Sequence, residues 1–424
     1  MLHRVADAFG ARIALSLLKL LVAALALIPA WAARSAPPAT AFIHVNVVPM
    51  DREQVLLDQT VIVSGQTIAR LGRDVPVPAG ARVIDARGKY LSPGLADMHT
   101  HSQTREDMRV YLANGVTTVL NLGGASSDFV DQLVPLLNKG ERPGPHVYLA
   151  LRIDGTPEYG QLVVKTPAEA RAVVRIAKTN GYQFIKVYND LSANAFAAVA
   201  EEARLRGLGI VGHYVRSVPL SRELEGGHVL IAHLEELMYG LFTPSKSDPL
   251  APPPDDVASK AIELLKAHRG YVVADLATFD AIAEQWGKPA VLNSFLARPE
   301  AGLVPFEWRL AWRREGYVDK SGSLDRRAAF EAKLAKRMDD AGIGLFAGTD
   351  APTIPGTYPG YSLHDDLERL VKAGISRFDA MSTATRIPGE FIADNLHEDA
   401  RFGEVTPGYR ADLVLTKDNP LRDL

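Results

Sequence analysis

From Tyr90 onward, eight short apolar runs alternate with longer segments of helical period, and this alternation limits the chain more than any other feature. The runs are 95–99, 116–122, 146–151, 184–188, 209–213, 229–233, 271–276 and 343–349. Helical segments lie between them at 105–114, 129–137, 167–179, 193–206, 255–268, 326–340 and 362–373. Strand followed by helix, repeated, builds a parallel sheet, because each parallel return needs a crossover. Eight such units predict an α/β protein with a closed (β/α)8 TIM barrel rather than an open sheet. The connection 216–227 is short, so its helix has room for one or two turns only.

The flanks have a different texture. Residues 42–86 read as all-β, with a hairpin signal at Ser64-Gly65-Gln66 between two runs rich in branched residues. This piece is too short to be stable alone. Past Asn395 the chain turns β-like again, at 403–405 and 411–415. Residues 37–90 and 396–424 are therefore expected to form a small β-sandwich domain beside a barrel of residues 91–395. At the N-terminus, Arg4 and Arg12 precede an apolar stretch at 20–28, then Pro29 and the small-x-small site Ala30-Trp31-Ala32. Residues 1–32 thus read as a signal peptide, cleaved near Ala32 to give a secreted or periplasmic protein. The apolar stretch is too short for a comfortable span, so no stable membrane insertion is expected after cleavage.

Composition narrows the chemistry. With 47 basic and 50 acidic residues the net charge is −3, and no basic block lies outside the extreme N-terminus. Nothing here attracts nucleic acid. The chain has no cysteine. Disulfides, thiolate ligands and Cys nucleophiles are excluded, and any metal must be held by His, Asp, Glu or a modified Lys.

His99-Thr100-His101 ends the first barrel run. Alone, His-x-His is a weak signal in a chain with 11 His. In a strand, however, residues i and i+2 share a side, and the carboxyl ends of barrel strands are where active sites form. Asp97 precedes by two residues. Lys186 lies inside Phe184-Ile185-Lys186-Val187-Tyr188, a run that would bury it. A desolvated amine loses its proton more readily, and a neutral amine can add carbon dioxide to become a carbamate able to bridge two metals. His213, His233 and Asp350 end later runs at the same face.

This ordered set resembles the amidohydrolase superfamily, in its imidazolonepropionase-like and prolidase-like branch. The residues that carry the resemblance are Pro93-Gly94-Leu95-Ala96-Asp97-Met98-His99-Thr100-His101, Lys186, His213, His233 and Gly348-Thr349-Asp350-Ala351-Pro352. Thr383-Ala384-Thr385-Arg386 and the stretch from Gly403 to Leu413 also match. The resemblance implies that His99, His101 and Asp350 bind one divalent ion, and that His213 and His233 bind a second. Carboxylated Lys186 (N6-carboxylysine) would bridge them, and Asp350 would act as general base and acid. Zinc suits such ligands first. The implied reaction is hydrolysis of an amide or peptide bond in a small molecule, such as a dipeptide or N-acyl amino acid. Two other readings stay open: a one-metal deaminase or cyclic-amide or lactone hydrolase, and a non-catalytic binding protein. Members of that superfamily commonly continue past the segment equivalent to Asn419-Pro420-Leu421, so either a trimmed β domain or a shortened sequence is expected.

Weaker candidates flank these residues. Tyr188 and Tyr214 adjoin ligand positions and are candidate substrate contacts. Arg216 is a candidate partner for a substrate carboxylate, with a surface ion pair as its plainer reading. His364 reads either as support for Asp350 or as a helix-start residue. His146 and His228 open strands at the far end and read as structural. Residues 239–255 and 280–323 read as long loops that set the substrate. A homo-oligomer is neither indicated nor excluded.

Overall fold

Two sheets hold all fifteen strands of the described residues. The computed structural model describes residues 39–397 and 401–423. The signal-like segment 1–32 lies outside them. Among the described residues no helix is long and apolar enough to cross a membrane.

The first five strands belong to the smaller sheet: β1 (Thr40–Val47), β2 (Leu56–Ser64), β3 (Thr67–Gly72), β4 (Arg82–Asp85) and β5 (Tyr90–Pro93). The hairpin is where the sequence placed it, β2 and β3 being joined across Gly65 and Gln66. β1 pairs with β4 over its first half and with β5 over its second. Between the halves its ladder to β2 slips, and His44 there has φ 56°. The small β domain is thus one six-stranded sheet that bends along β1, closing around Val45, Val47, Val61, Ile68, Leu91 and Val405.

The remaining strands are β6 (Leu95–Thr100), β7 (Val116–Asn121), β8 (His146–Asp154), β9 (Leu162–Val163), β10 (Phe184–Val187), β11 (Gly209–Gly212), β12 (His228–Ile231), β13 (Tyr271–Val273), β14 (Gly344–Phe346) and β15 (Leu413–Thr416). β15 returns to the smaller sheet, antiparallel to β5. All others except the short β9 form one parallel array in sequence order. The array closes between its first and last strands: Met98 N–H donates to Ala347 C=O and Asp350 N–H to His99 C=O. The result is a (β/α)8 TIM barrel with a separate β-sheet domain.

Strand alternation sorts the apolar residues into two layers. Val147, Leu149, Ile185, Ile210, Val272 and Leu345 face the surrounding helices. Tyr148, Ala150, Phe184, Val211, Leu230, Val273 and Phe346 fill the barrel interior, plugged from below by Phe391. Burial of this kind contributes about 1.5–3 kcal/mol per large side chain before chain entropy is charged against it. Helices start on side-chain caps where the sequence offers them, as at Thr104 with Asp107 and Thr166 with Glu169.

One expectation needs correcting. The stretch 280–323 is not a plain loop. It carries helices Leu276–Gln285, Pro289–Ala297 and Phe306–Trp312. They enclose a core of their own around Leu292, Ala301, Val304, Trp312 and Tyr358. Trp312 Nε1–H donates to Pro352 C=O, 2.8 Å, tying this insertion to the turn after β14. Short helices broken by Pro and Gly look like loop in sequence. Residues 242–254, by contrast, are irregular as expected.

Candidate functional site

The carboxyl ends of the barrel strands converge on four imidazoles. His99 and His101 come from the end of β6, His213 follows β11 and His233 follows β12. Ring centroids are 5.5 Å apart for His99–His101, 4.4 Å for His99–His233 and 5.0 Å for His213–His233. Ala96 and Met98 belong to the interior core, so strict alternation would carry His99 outward. The β6 ladder shifts register between Asp97 and Thr100, which breaks the alternation. Gly348 leaves room opposite. A Cβ there would lie 3.0 Å from His99 Cβ and 2.6 Å from the Asp275 carboxylate.

Each Nδ1 atom meets an oxygen. His101 Nδ1 is 2.6 Å from Gly123 C=O, and His99 Nδ1 is 2.8 Å from Asp275 Oδ2. His233 Nδ1 is 2.7 Å from the same Asp275 oxygen. His213 Nδ1 is 2.8 Å from Glu236 Oε1. For His99 and His101 the hydrogen bond at Nδ1 holds the proton there and leaves Nε2 as the lone-pair atom, whereas the Nδ1 atoms of His213 and His233 lie close to carboxylate oxygens without a hydrogen bond. His213 Nε2 is buried with no hydrogen-bond partner. His101 Nε2 and His99 Nε2 lie 3.1 and 3.5 Å from Asp350 Oδ1. Lys186 Nζ lies 3.3 Å from His99 Nε2. Lys186 therefore stands among the imidazoles, as do all six residues singled out as metal ligands.

The electrostatics suit a cation. Burial holds the His99 and His213 imidazoles well below their ordinary value, with the Lys186 charge adding to it. Burial also lowers His101. These rings are neutral, the form that binds metal. Burial pulls the Lys186 amine down to about 8, and Arg152 beside it adds to the effect. For Asp350, burial pushes the carboxyl up, but the neighbouring His101 imidazole, with His233 and Lys186, holds it below the usual carboxylate range. Ligand atoms of His99, His101 and Asp350 lie within 4.8 Å of one another, as do those of His99, His233 and Asp275. An orphaned buried Nε2, neutral imidazoles and an ionised carboxylate fit a divalent ion.

Backbone strain gathers here. His233 has φ 143°, Asp275 φ 48° and Asp350 φ 49°. Each such conformation costs about 1–3 kcal/mol and persists only where packing imposes it.

The weaker candidates divide. Tyr188 is in the site, its ring stacked on His213 at 3.8 Å and covered by Tyr159 at 5.0 Å. Tyr214 points away, its ring against Gly240. Arg216 pairs with Asp190 at 2.9 Å with its side chain 66% exposed, which is its plainer reading. His364 bonds to Asn114 C=O rather than supporting Asp350. His228 pairs with Glu223 at the far end. Sequence reasoning missed Asp275, Glu236 and Arg152. Asp275 lies two residues past β13 at the carboxyl end of a barrel strand, and that position was its one available signal.

No family model matches the chain. Short stretches resemble curated proteins. A dihydroorotase of Trichlorobacter lovleyi is 38% identical over 68 residues, covering 14% of this chain and 16% of the relative. A dihydroorotase of Mycobacterium leprae is 41% identical over 71 residues, 16% of each. The chain thus matches about a sixth of the length of these relatives. Solved structures match nearly end to end. Bottromycin amidohydrolase superposes with a TM-score of 0.68 at 20% identity, covering 91% of this chain and 83% of that one. A Xaa-Pro dipeptidase with bound methionine gives 0.66 at 20%, covering 91% and 95%. The chain has the amidohydrolase fold. At such identities the likeness reaches the fold and stops there. Within the amidohydrolase fold, the cluster built above occupies the strand ends where barrel enzymes place their chemistry.

Proposed function

We propose that the protein is a metal-dependent hydrolase of the amidohydrolase superfamily, cleaving an amide or peptide C–N bond in a small molecule such as a dipeptide or N-acyl amino acid. One observation carries this reading: four buried histidines, each with an oxygen 2.6–2.8 Å from Nδ1, converge with Lys186 and Asp350 at the carboxyl ends of the barrel strands. In the two-ion form, His99, His101 and Asp350 would hold one ion and His213 and His233 the other, with carboxylated Lys186 as the group between them. Zinc is the first choice of metal. The chemistry such ions supply is activation of water near neutral pH and polarisation of the scissile carbonyl. Asp350 takes the proton of the attacking water and returns it to the leaving nitrogen. Tyr188 walls the site beside His213. Secretion, with cleavage near Ala32, belongs to the same proposal and is tested by N-terminal sequencing of the exported protein.

Support comes from relatives' names as well as geometry. The solved structures sharing the fold include a prolidase complexed with N-methylphosphonate-L-proline and molinate hydrolase. A second reading has its own observation. His99, His101 and Asp350 already form a three-ligand group without Lys186 or His213. A one-ion deaminase or cyclic-amide hydrolase would need no more. Metal counting by emission spectroscopy, beside a panel of Xaa-Pro dipeptides, N-acyl amino acids and cyclic amides, tests both. Two ions with dipeptide or N-acyl turnover support the first reading. One ion with ring opening supports the second. Full metal without turnover of any amide overturns the first reading and the cyclic-amide form of the second.

A further inference from the structure

Among the described residues Arg152 has no ion-pair or hydrogen-bond partner. It lies on β8, directly opposite Lys186 in the parallel ladder between β8 and β10. Register partners in a parallel pair share a face. Tyr148 and Ala150, two and four residues earlier, face the barrel interior. Arg152 therefore points inward beside Lys186, one layer above that core.

Asp350 shares the cluster with Arg152 but lies against His101 and His99. Among the described residues no carboxylate forms an ion pair with Arg152 and no hydrogen bond reaches it; its Nε is buried without a partner. Arg216 and Arg369, also near the strand ends, are each paired with aspartate. The neighbours of Arg152 in the site include His101, Lys186 and Tyr188, groups that Asp350 also faces. A guanidinium placed there without an ion pair is costly, because arginine cannot shed its charge. The chain makes room for it nonetheless. Gly123, at φ 109°, passes so close that a Cβ would lie 2.5 Å from Arg152 Cβ. The Gly124 position lies 3.7 Å from the terminal guanidinium nitrogen. Two glycines thus let the loop after β7 close over the stem, while part of the side chain keeps access to solvent.

We propose that Arg152 binds a carboxylate of the substrate, which makes the site selective for amides whose leaving or acyl part carries an acid group. The proposal rests on the hydrolase reading and names its substrate class. A planar guanidinium pairs with a carboxylate through two parallel N–H···O bonds, which would fix the amide relative to the histidine cluster. The competing anion is the carbamate on Lys186, and the two roles separate by experiment.

The test compares zinc-loaded wild type with Arg152→Gln and Arg152→Lys. The probes are N-acetyl-L-alanine and its C-terminal methylamide, bound in calorimetry, with zinc content measured in parallel. The expected result is tighter binding of the acid than of the methylamide by wild type. Arg152→Gln should weaken the acid at least tenfold, leave methylamide binding and zinc content in place, and Arg152→Lys should recover part of the loss. Equal affinity of wild type for both probes overturns the proposal. So does an equal loss for both, or loss of zinc in Arg152→Gln, since Arg152 would then act through Lys186. The wild-type preference can be read even where the variants fail to fold. Absence of turnover with acid preference intact would count against the hydrolase reading and leave Arg152 assigned.

Discussion

One strand carries a histidine at each end, and the two have opposite fates. His228 opens β12 and His233 follows it. Both are buried, and both meet a carboxylate through Nδ1: His228 with Glu223 at 2.9 Å, His233 with Asp275 at 2.7 Å. At the lower end the second nitrogen is also satisfied, His228 Nε2 lying 3.1 Å from Leu230 C=O. At the upper end His99 Nε2 lies 3.3 Å from Lys186 Nζ and His101 Nε2 3.1 Å from Asp350 Oδ1, and His213 Nε2 has no partner among the described residues. A histidine with both nitrogens engaged is a piece of framework. One with a single nitrogen tied is a ligand held ready. Burial and a carboxylate partner do not tell the two apart; the second nitrogen does.

The largest effect should come from removing the metal. Chelation should cut amide hydrolysis by about three orders of magnitude, restored by zinc, while secondary structure followed by circular dichroism stays in place. Activity surviving complete chelation would erase the distinction between the two ends. Next, Asp275→Ala frees Nδ1 of both His99 and His233, and metal affinity should fall about 10- to 100-fold in a competition titration. His228→Gln is its counterpart at the lower end. It strands Glu223, which is 0% exposed and whose carboxyl burial already pushes up. Unfolding should show a loss of about 3–5 kcal/mol, with metal affinity unchanged. A pH comparison sharpens the upper end. Burial raises the Asp366 carboxyl to about 8, although it accepts from Ala277 and Gly348 N–H. Its protonated form stabilises the fold fully below about pH 4, and that contribution fades as pH rises towards 8. The melting temperature of wild type relative to Asp366→Asn should therefore fall across that window; a flat difference would remove the assignment. The smallest effect belongs to Arg216→Ala. An exposed pair with Asp190 contributes about 0–1 kcal/mol, and kcat/KM should stay within about twofold.

Much of the barrel was legible because its signal is periodic. Eight runs and their helices are set by alternation that single residues cannot disguise, and His99, His101, Lys186, His213, His233 and Asp350 all sit at run ends or inside a run. Asp275, Glu236 and Arg152 were not legible, for physical reasons. Glu236 stands in the first turn of the helix Leu234–Leu241, where acids are favoured for the helix dipole alone. Arg152 acquires its meaning only from the register that sets it beside Lys186. Tyr214 and Arg216 misled in the reverse way: adjacency to His213 in sequence is lost when the chain turns out of β11. The insertion after β13 hid its helices because each is short, and their core forms only when they pack together.

A single oxygen, Asp275 Oδ2, contacts His99 and His233 at once. In the proposed assignment those histidines serve different ions. Orienting one ring through this atom orients the other. In the two-ion form, uptake of the two ions would therefore be coupled through this one oxygen.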